Sequence, residues 1–176
     1  MNFTEPRTFS VSGLNDLEEE EFVRLVGPVF EHSPWIAKMT WSKRPFARLD
    51  DLHHKLCDTV KKAGEESQLA LLRAHPDLVG KLALAGQVTQ ESTNEQASAG
   101  LTRLSKTEVD LFQSNNAAYQ KKFGFPFIIC ARLNKKESIL KGFEVRLKNS
   151  REQEIKTALE EVFKIADLRL RDRITN

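Results

Sequence analysis

The chain is poor in cysteine. Cys57 and Cys130 are its only thiols in 176 residues, and they stand in neither a CxxC pair nor any other metal-ligand spacing. That excludes a disulfide-stapled fold and points to reduced thiols used as small packing groups. No apolar run approaches 18 residues, so a membrane-spanning helix is not expected. The opening stretch "MNFTEPRTFSVSGLNDLEEEEF" lacks the basic and apolar regions of a secretory leader and the arginine-rich pattern of a transit peptide. The closing "ITN" is not a peroxisomal S-K-L-type address, and a cytoplasmic location is the expectation. Neither sign of charge dominates: 27 basic and 25 acidic residues are interspersed and leave a net +2. No basic stripe stands out, so nucleic acid is not an expected partner, nor is a membrane.

Glycine and proline are also sparse, at 8 and 6 residues. Between them, apolar residues recur every three or four positions, the period of a helix face. The expected fold is all-α, a single-domain bundle of about seven to nine helices over residues 1–176, and folding a chain of this length can bury roughly 70% of its unfolded surface. The first helix is expected from about Asn15 to His32, with the acidic "DLEEEE" at its favourable N-terminal end. "SPWIAKMTWSKRPF" reads as a connector whose tryptophans cap the core, followed by helices from about Arg48 to Ala63 and Glu65 to Ala74. Ser92-x-x-Glu95, Ser105-x-x-Glu108 and Ser150-x-x-Gln153 read as capping boxes, placing three further helix starts. "FGFPFIICARL" is the one β-like run, but Pro126 argues against a central strand, leaving a buried extended or kinked piece. No repeat or linker marks a domain boundary.

Three places could carry chemistry. In "LLRAHPDLVG", Pro76 disfavours helix at the preceding residue, so a helix should stop at or just before His75 and leave it at a rigid corner. An imidazole there can titrate near neutrality. The alternative is a C-capping histidine, with Asp77 supplying turn hydrogen bonds. In "ESTNEQASAGL", Ser92, Glu95 and Gln96 cluster in a helix's first turn, where free N–H groups and side chains could grip a ligand rich in C=O and N–H. The alternative there is that Glu95 only closes a capping box. In the last helix, Ile155, Leu159, Val162 and Ala166 form an apolar stripe that brings Arg169 round to the inner face, with Arg171 opposite. A buried guanidinium needs an anionic partner or must snorkel outward, and both options stand at this point. His32, His53 and His54 lie in ordinary helix or loop contexts without a carboxylate cluster, so no metal site is expected.

Together, "HPDLVG", "QESTNEQASAGL", "FGFPFIICAR" and "IADLRL" resemble the motifs of the OHCU decarboxylase family, in the family's order and across most of the chain. These enzymes act on 2-oxo-4-hydroxy-4-carboxy-5-ureidoimidazoline (OHCU) in urate degradation. The resemblance implies an all-α domain, usually a homodimer, that forms (S)-allantoin and CO2 with no metal or organic cofactor. It makes His75 the catalytic histidine, with Glu95 and Arg169 as its principal polar partners. Ser92 and Gln96 would add substrate hydrogen bonds, Pro76 would hold the histidine, and Phe125, Phe127, Ile128 and Ile129 would form pocket wall and backbone contacts. No transthyretin-like hydrolase segment accompanies these motifs, so the preceding step is expected from another polypeptide.

Overall fold

A computed structural model describes residues 8–176; the first seven residues of the stretch scanned for a leader lie outside it. Among the described residues are eight α-helices of seven or more residues, two single-turn helices and one pair of two-residue strands, so the fold is predominantly α as expected. The chain divides into two compact units. One takes in the chain up to Leu71 together with Phe163–Asn176; the other is Leu72–Val162.

The first unit opens with β1 (Phe9–Ser10), which pairs in parallel with β2 (Ile174–Thr175), Phe9 opposite Ile174. Ser10 then caps α1 (Val11–Asn15), its hydroxyl accepting from the Gly13 N–H at 3.0 Å. Asn15 therefore ends a helix instead of starting one. The next, α2 (Glu19–Val26), carries Glu19, Glu20 and Glu21 in its first turn, where the helix dipole favours them. It passes into a 3-10 turn at Gly27–Val29 around Pro28, which lacks the N–H an α-helix would need, and Phe30 is already extended. The expected connector contains α3 (Trp35–Trp41), a correction to the sequence reading. Pro34 suits the helix entrance, and Ile36, Ala37 and Thr40 share one buried face; Thr40 satisfies its hydroxyl on Ile36 O and on Thr59. Trp41 is half-buried and donates to Leu17 O at 3.0 Å. α4 (Leu49–Lys62) lies where periodicity placed it and buries Leu52, Leu56 and Val60. The thiol of Cys57 is buried there, which pushes its pKa up to about 12, so it is a packing group and not a nucleophile.

α5 (Glu65–Arg73) leads into the second unit, which continues through α6 (Lys81–Leu84), α7 (Gln90–Ser98), α8 (Lys106–Phe123), a 3-10 turn at Ala131–Leu133 and α9 (Lys136–Arg146). α10 (Arg151–Arg173) supplies its residues up to Val162 to this unit. The predicted capping boxes at Ser105 and Ser150 are both formed, with reciprocal bonds to Glu108 and Gln153. The core is aromatic. Tyr119 meets Phe127 edge-on at 5.2 Å between centroids, and Phe127 stacks on Phe143 at 3.9 Å. Phe123 ends α8 and Gly124 turns the chain with a left-handed φ of 80°, after which "FPFIIC" is neither helix nor strand and buries Phe125, Phe127 and Ile128 as expected.

Candidate active site

His75 stands two residues past the end of α5, its N–H donating to Leu72 O at 3.2 Å, and its side chain is buried in the second unit. The turn that follows is tightly held. Asn116 of α8 donates its amide to Leu78 O at 2.7 Å, and the Val79 N–H donates to Gln96 Oε1 at 3.0 Å. Val79 has φ +54°, a left-handed conformation that costs a β-branched residue on the order of 1–3 kcal/mol. At Gly80 a Cβ would come within 2.7 Å of Asp77 Cβ, so only glycine fits there without displacing the turn. The corner behind His75 is thus strained, and fastened to α7 and α8.

α7 begins three residues earlier than expected. Thr89 is its cap, accepting from the Ser92 N–H at 3.2 Å, so the predicted Ser92–Glu95 capping box does not form. The reason is competition: Thr89 offers the same hydroxyl chemistry one turn upstream, and the helix takes the longer option. Glu95 therefore does not close a capping box at the start of α7. Ser92, Gln96 and Ala99, spaced by four and three residues, form the buried face of α7, with Glu95 half-buried beside it. Gln96 also lines a cavity of about 190 Å³ with Val79, Val88, Thr93 and Leu101.

The turn that follows "FPFIIC" meets the same helix. α7 packs against the Ala131–Leu133 turn, and the Glu95 carboxylate adds to the upward shift of the Cys130 thiol, whose largest cause is burial. Phe125, Pro126, Phe127 and Ile128 are buried and Ile129 is partly exposed. Their backbone is pinned at both ends of "IIC": Arg146 donates to Ile128 O at 2.6 Å, and the Cys130 N–H donates to Glu161 at 2.8 Å. Within the second unit the Val79–Gln96 bond ties the turn after His75 and Pro76 to α7, and α7 packs against the turn that follows the Phe125–Ile129 segment.

Arg169 belongs to the first unit. It is 3% exposed, so it does not snorkel, and its Nη1 donates to Glu31 Oε2 at 3.0 Å and to Val29 O at 3.4 Å. The anionic partner demanded of a buried guanidinium is Glu31, which sequence reasoning did not name. Its signal was a lone carboxylate closing the apolar run "VGPVFE" ahead of a Ser-Pro turn. Arg171 is exposed and pairs with Asp50 and Asp167. Of the other histidines, His32 and His54 are exposed and His53 contacts Phe163 O at 2.8 Å. Among the described residues no three His, Cys, Asp or Glu side chains are grouped as metal ligands.

Asp77 was also underestimated. Its Oδ1 is buried without a hydrogen-bond partner, and burial raises its pKa above the usual carboxylate range. The folded protein therefore holds a proton on Asp77 at pH values where the unfolded chain has released it. Its contribution is fully favourable below the unfolded pKa and is lost as pH rises through the folded one. Asp77→Asn should accordingly melt higher than the parent at pH 7.5 and no higher at pH 3. A gain that is the same at both values would show that charge is not the cause.

Comparison with known proteins bears on the family. Residues 15–171 match the OHCU decarboxylase family. The chain is 45% identical to the 2-oxo-4-hydroxy-4-carboxy-5-ureidoimidazoline decarboxylase of Halalkalicoccus jeotgali, covering 93% of this chain and 90% of that one. It is 44% identical to the enzyme of the same name from Amia calva, covering 92% of each. Among solved structures it resembles (S)-allantoin synthase with a TM-score of 0.75 and 28% identity, over 94% of this chain and 54% of that one. With the family matched from the first helices to the last and identities this high over nearly whole chains, this protein belongs to the OHCU decarboxylase family.

Proposed function

We propose that this protein is a carboxy-lyase that converts OHCU to (S)-allantoin and CO2 in urate degradation, without metal or organic cofactor. The observation that carries the reading is the match to the family and to its decarboxylases along almost the whole chain, over a range that spans all four motifs. The substrate's own chemistry makes a cofactor unnecessary. When the C–CO2 bond breaks, its electron pair passes into the adjoining ring C=N system to give an enol; a proton then adds to the neighbouring ureido-bearing carbon while the hydroxyl-bearing carbon becomes the ring carbonyl. The protein must turn the carboxylate out of the ring plane, stabilise the enolate-like charge, and present one face for protonation.

In this reading His75 hydrogen-bonds the hydroxyl or carboxylate at the reacting carbon and acts as general acid/base, with Pro76 fixing its approach. Glu95, Ser92 and Gln96 hold the ureido and ring N–H groups, and Arg169 binds an anionic or carbonyl oxygen. Phe125, Phe127, Ile128 and Ile129 supply wall and backbone contacts. Because Ile128 O already accepts from Arg146, those contacts come from the other backbone groups of the segment. Residues 1–176 act as one catalytic domain, working as a cytoplasmic homodimer by analogy with the family. The test is turnover: freshly generated OHCU with protein at one-hundredth its concentration should be consumed fully and faster than in buffer, with equimolar CO2. A ureide-binding module would instead leave OHCU decaying no faster than in buffer.

A further inference from the structure

The buried pair of Glu31 and Arg169 raises a question that the assignment of Arg169 to the substrate does not answer. Glu31 is 2% exposed and Arg169 3%. Taking two charges out of water to pair them is at best weakly stabilising compared with an apolar packing of similar volume. The backbone that presents Glu31 is costly as well. His32, the next residue, has φ +45°, and the bend is tied by the Ser33 hydroxyl donating to Glu31 O at 2.8 Å. Strain and a desolvated charge at one point are the marks of a position kept for what it does rather than for stability.

From this we infer that Glu31 is a positioning and specificity-determining residue: it fixes the Arg169 guanidinium and cancels its charge, so that the arginine meets substrate as a hydrogen-bond fork and not as a bare cation. The inference rests on the proposed role of Arg169 in substrate binding. Its chemical sense follows from the reaction. In a decarboxylation the negative charge begins on the carboxylate and leaves it in the transition state. A bare cation in the site would hold the ground-state carboxylate more tightly than the transition state, which deepens binding and slows the chemical step. A guanidinium already neutralised by Glu31 avoids that trap. It still directs N–H groups at ring carbonyl oxygens, where charge develops.

The test uses full-length protein and three variants: Glu31→Gln, Glu31→Asp and Arg169→Gln. Steady-state kinetics with OHCU are combined with Kd values for (S)-allantoin, which is neutral, and hydantoin-5-acetate, an anionic five-membered ring. In Glu31→Gln, kcat should fall at least tenfold while KM falls or stays level, and hydantoin-5-acetate should bind at least tenfold tighter with (S)-allantoin changing less than twofold. Glu31→Asp keeps the charge and shortens the reach. It should lose at least fivefold in kcat with the ligand preference of the parent, and it decides the matter if Glu31→Gln does not fold. Parallel weakening of both ligands, or an unchanged kcat in Glu31→Asp, overturns the inference. Arg169→Gln separates the two claims. If it leaves turnover and both affinities intact, the role of Arg169 itself falls. If it abolishes turnover while the Glu31 variants behave as the parent, only the inference falls.

Discussion

His75→Ala is expected to lose turnover of OHCU by about 10²–10⁴-fold, the usual worth of a general acid/base. The residue sits on a short peptide corner whose oxygen at Leu78, N–H at Val79 and glycine at position 80 are each fixed by a specific neighbour. Those bonds are made by Asn116, Gln96 and the backbone and not by the imidazole, so the alanine variant should fold and melt close to the parent. The competing reading, a histidine that merely ends α5, predicts the reverse: a loss of stability on the order of 1 kcal/mol with activity retained, as for the loss of a helix cap. His75→Asn refines the comparison. It preserves a hydrogen bond but not proton transfer, and should rank with alanine if His75 moves a proton, or with the parent if it only binds.

Glu154→Ala should cost about 3–5 kcal/mol, the range for removing one partner of a buried ion pair. Glu154 is fully buried, and its Oε1 accepts from the Tyr119 hydroxyl at 2.6 Å and from Arg146 Nε. Oε2 accepts from Asn149 at 2.9 Å. Without it, the Arg146 guanidinium, lying 4.2 Å from the Phe127 ring centroid, would be a desolvated charge with no counter-ion. Arg146 Nη2 already has no hydrogen-bond partner, so the site has nothing in reserve. Native stability is about 5–15 kcal/mol, and the variant would forfeit a large part of it. Glu154→Gln, which can keep the Tyr119 and Arg146 contacts without the charge, should lose less. Burial, reinforced by the bond to Glu154, raises the Tyr119 pKa, so the phenol stays a donor into the alkaline range and the ranking should hold there. The midpoint of urea unfolding, followed by far-ultraviolet circular dichroism, checks both. Because Arg146 also holds Ile128 O, Glu154→Gln should retain its fold yet lose part of its activity.

Much of this architecture was legible in the letters because local signals agreed with the final packing. The α4 boundaries, the capping boxes at Ser105 and Ser150, and the inward turn of Arg169 follow from periodicity and side-chain-to-backbone bonding, which operate within a few residues. The misreadings occurred where two local solutions compete. Thr89 and Ser92 can each cap α7, and nothing local separates them. The stretch from Trp35 to Trp41 looks like a connector beside Pro34, yet Thr40 hides its polarity on Ile36 O and the helix forms. Partnerships across long separations were not legible. That Arg169 needs an anion is a local deduction; that the anion is Glu31, 138 residues away, is a property of the fold. The same holds for Asn116 and Gln96, whose short polar side chains fasten the turn behind His75. The roles of His75, Glu95 and Arg169 came from the family resemblance, since each string alone admitted a purely structural explanation.

The handedness of the product is the most direct measurement of whether this protein carries out the chemistry assigned to it. Non-enzymatic decay of OHCU leaves the new stereocentre without preference, whereas a site that shields one face and delivers the proton to the other must impose one. Optical rotation recorded during consumption of fresh OHCU, in chelator-treated buffer, should rise to that of (S)-allantoin with the parent protein and stay near zero with His75→Ala. Racemic allantoin from the parent, formed no faster than in buffer, would contradict the account.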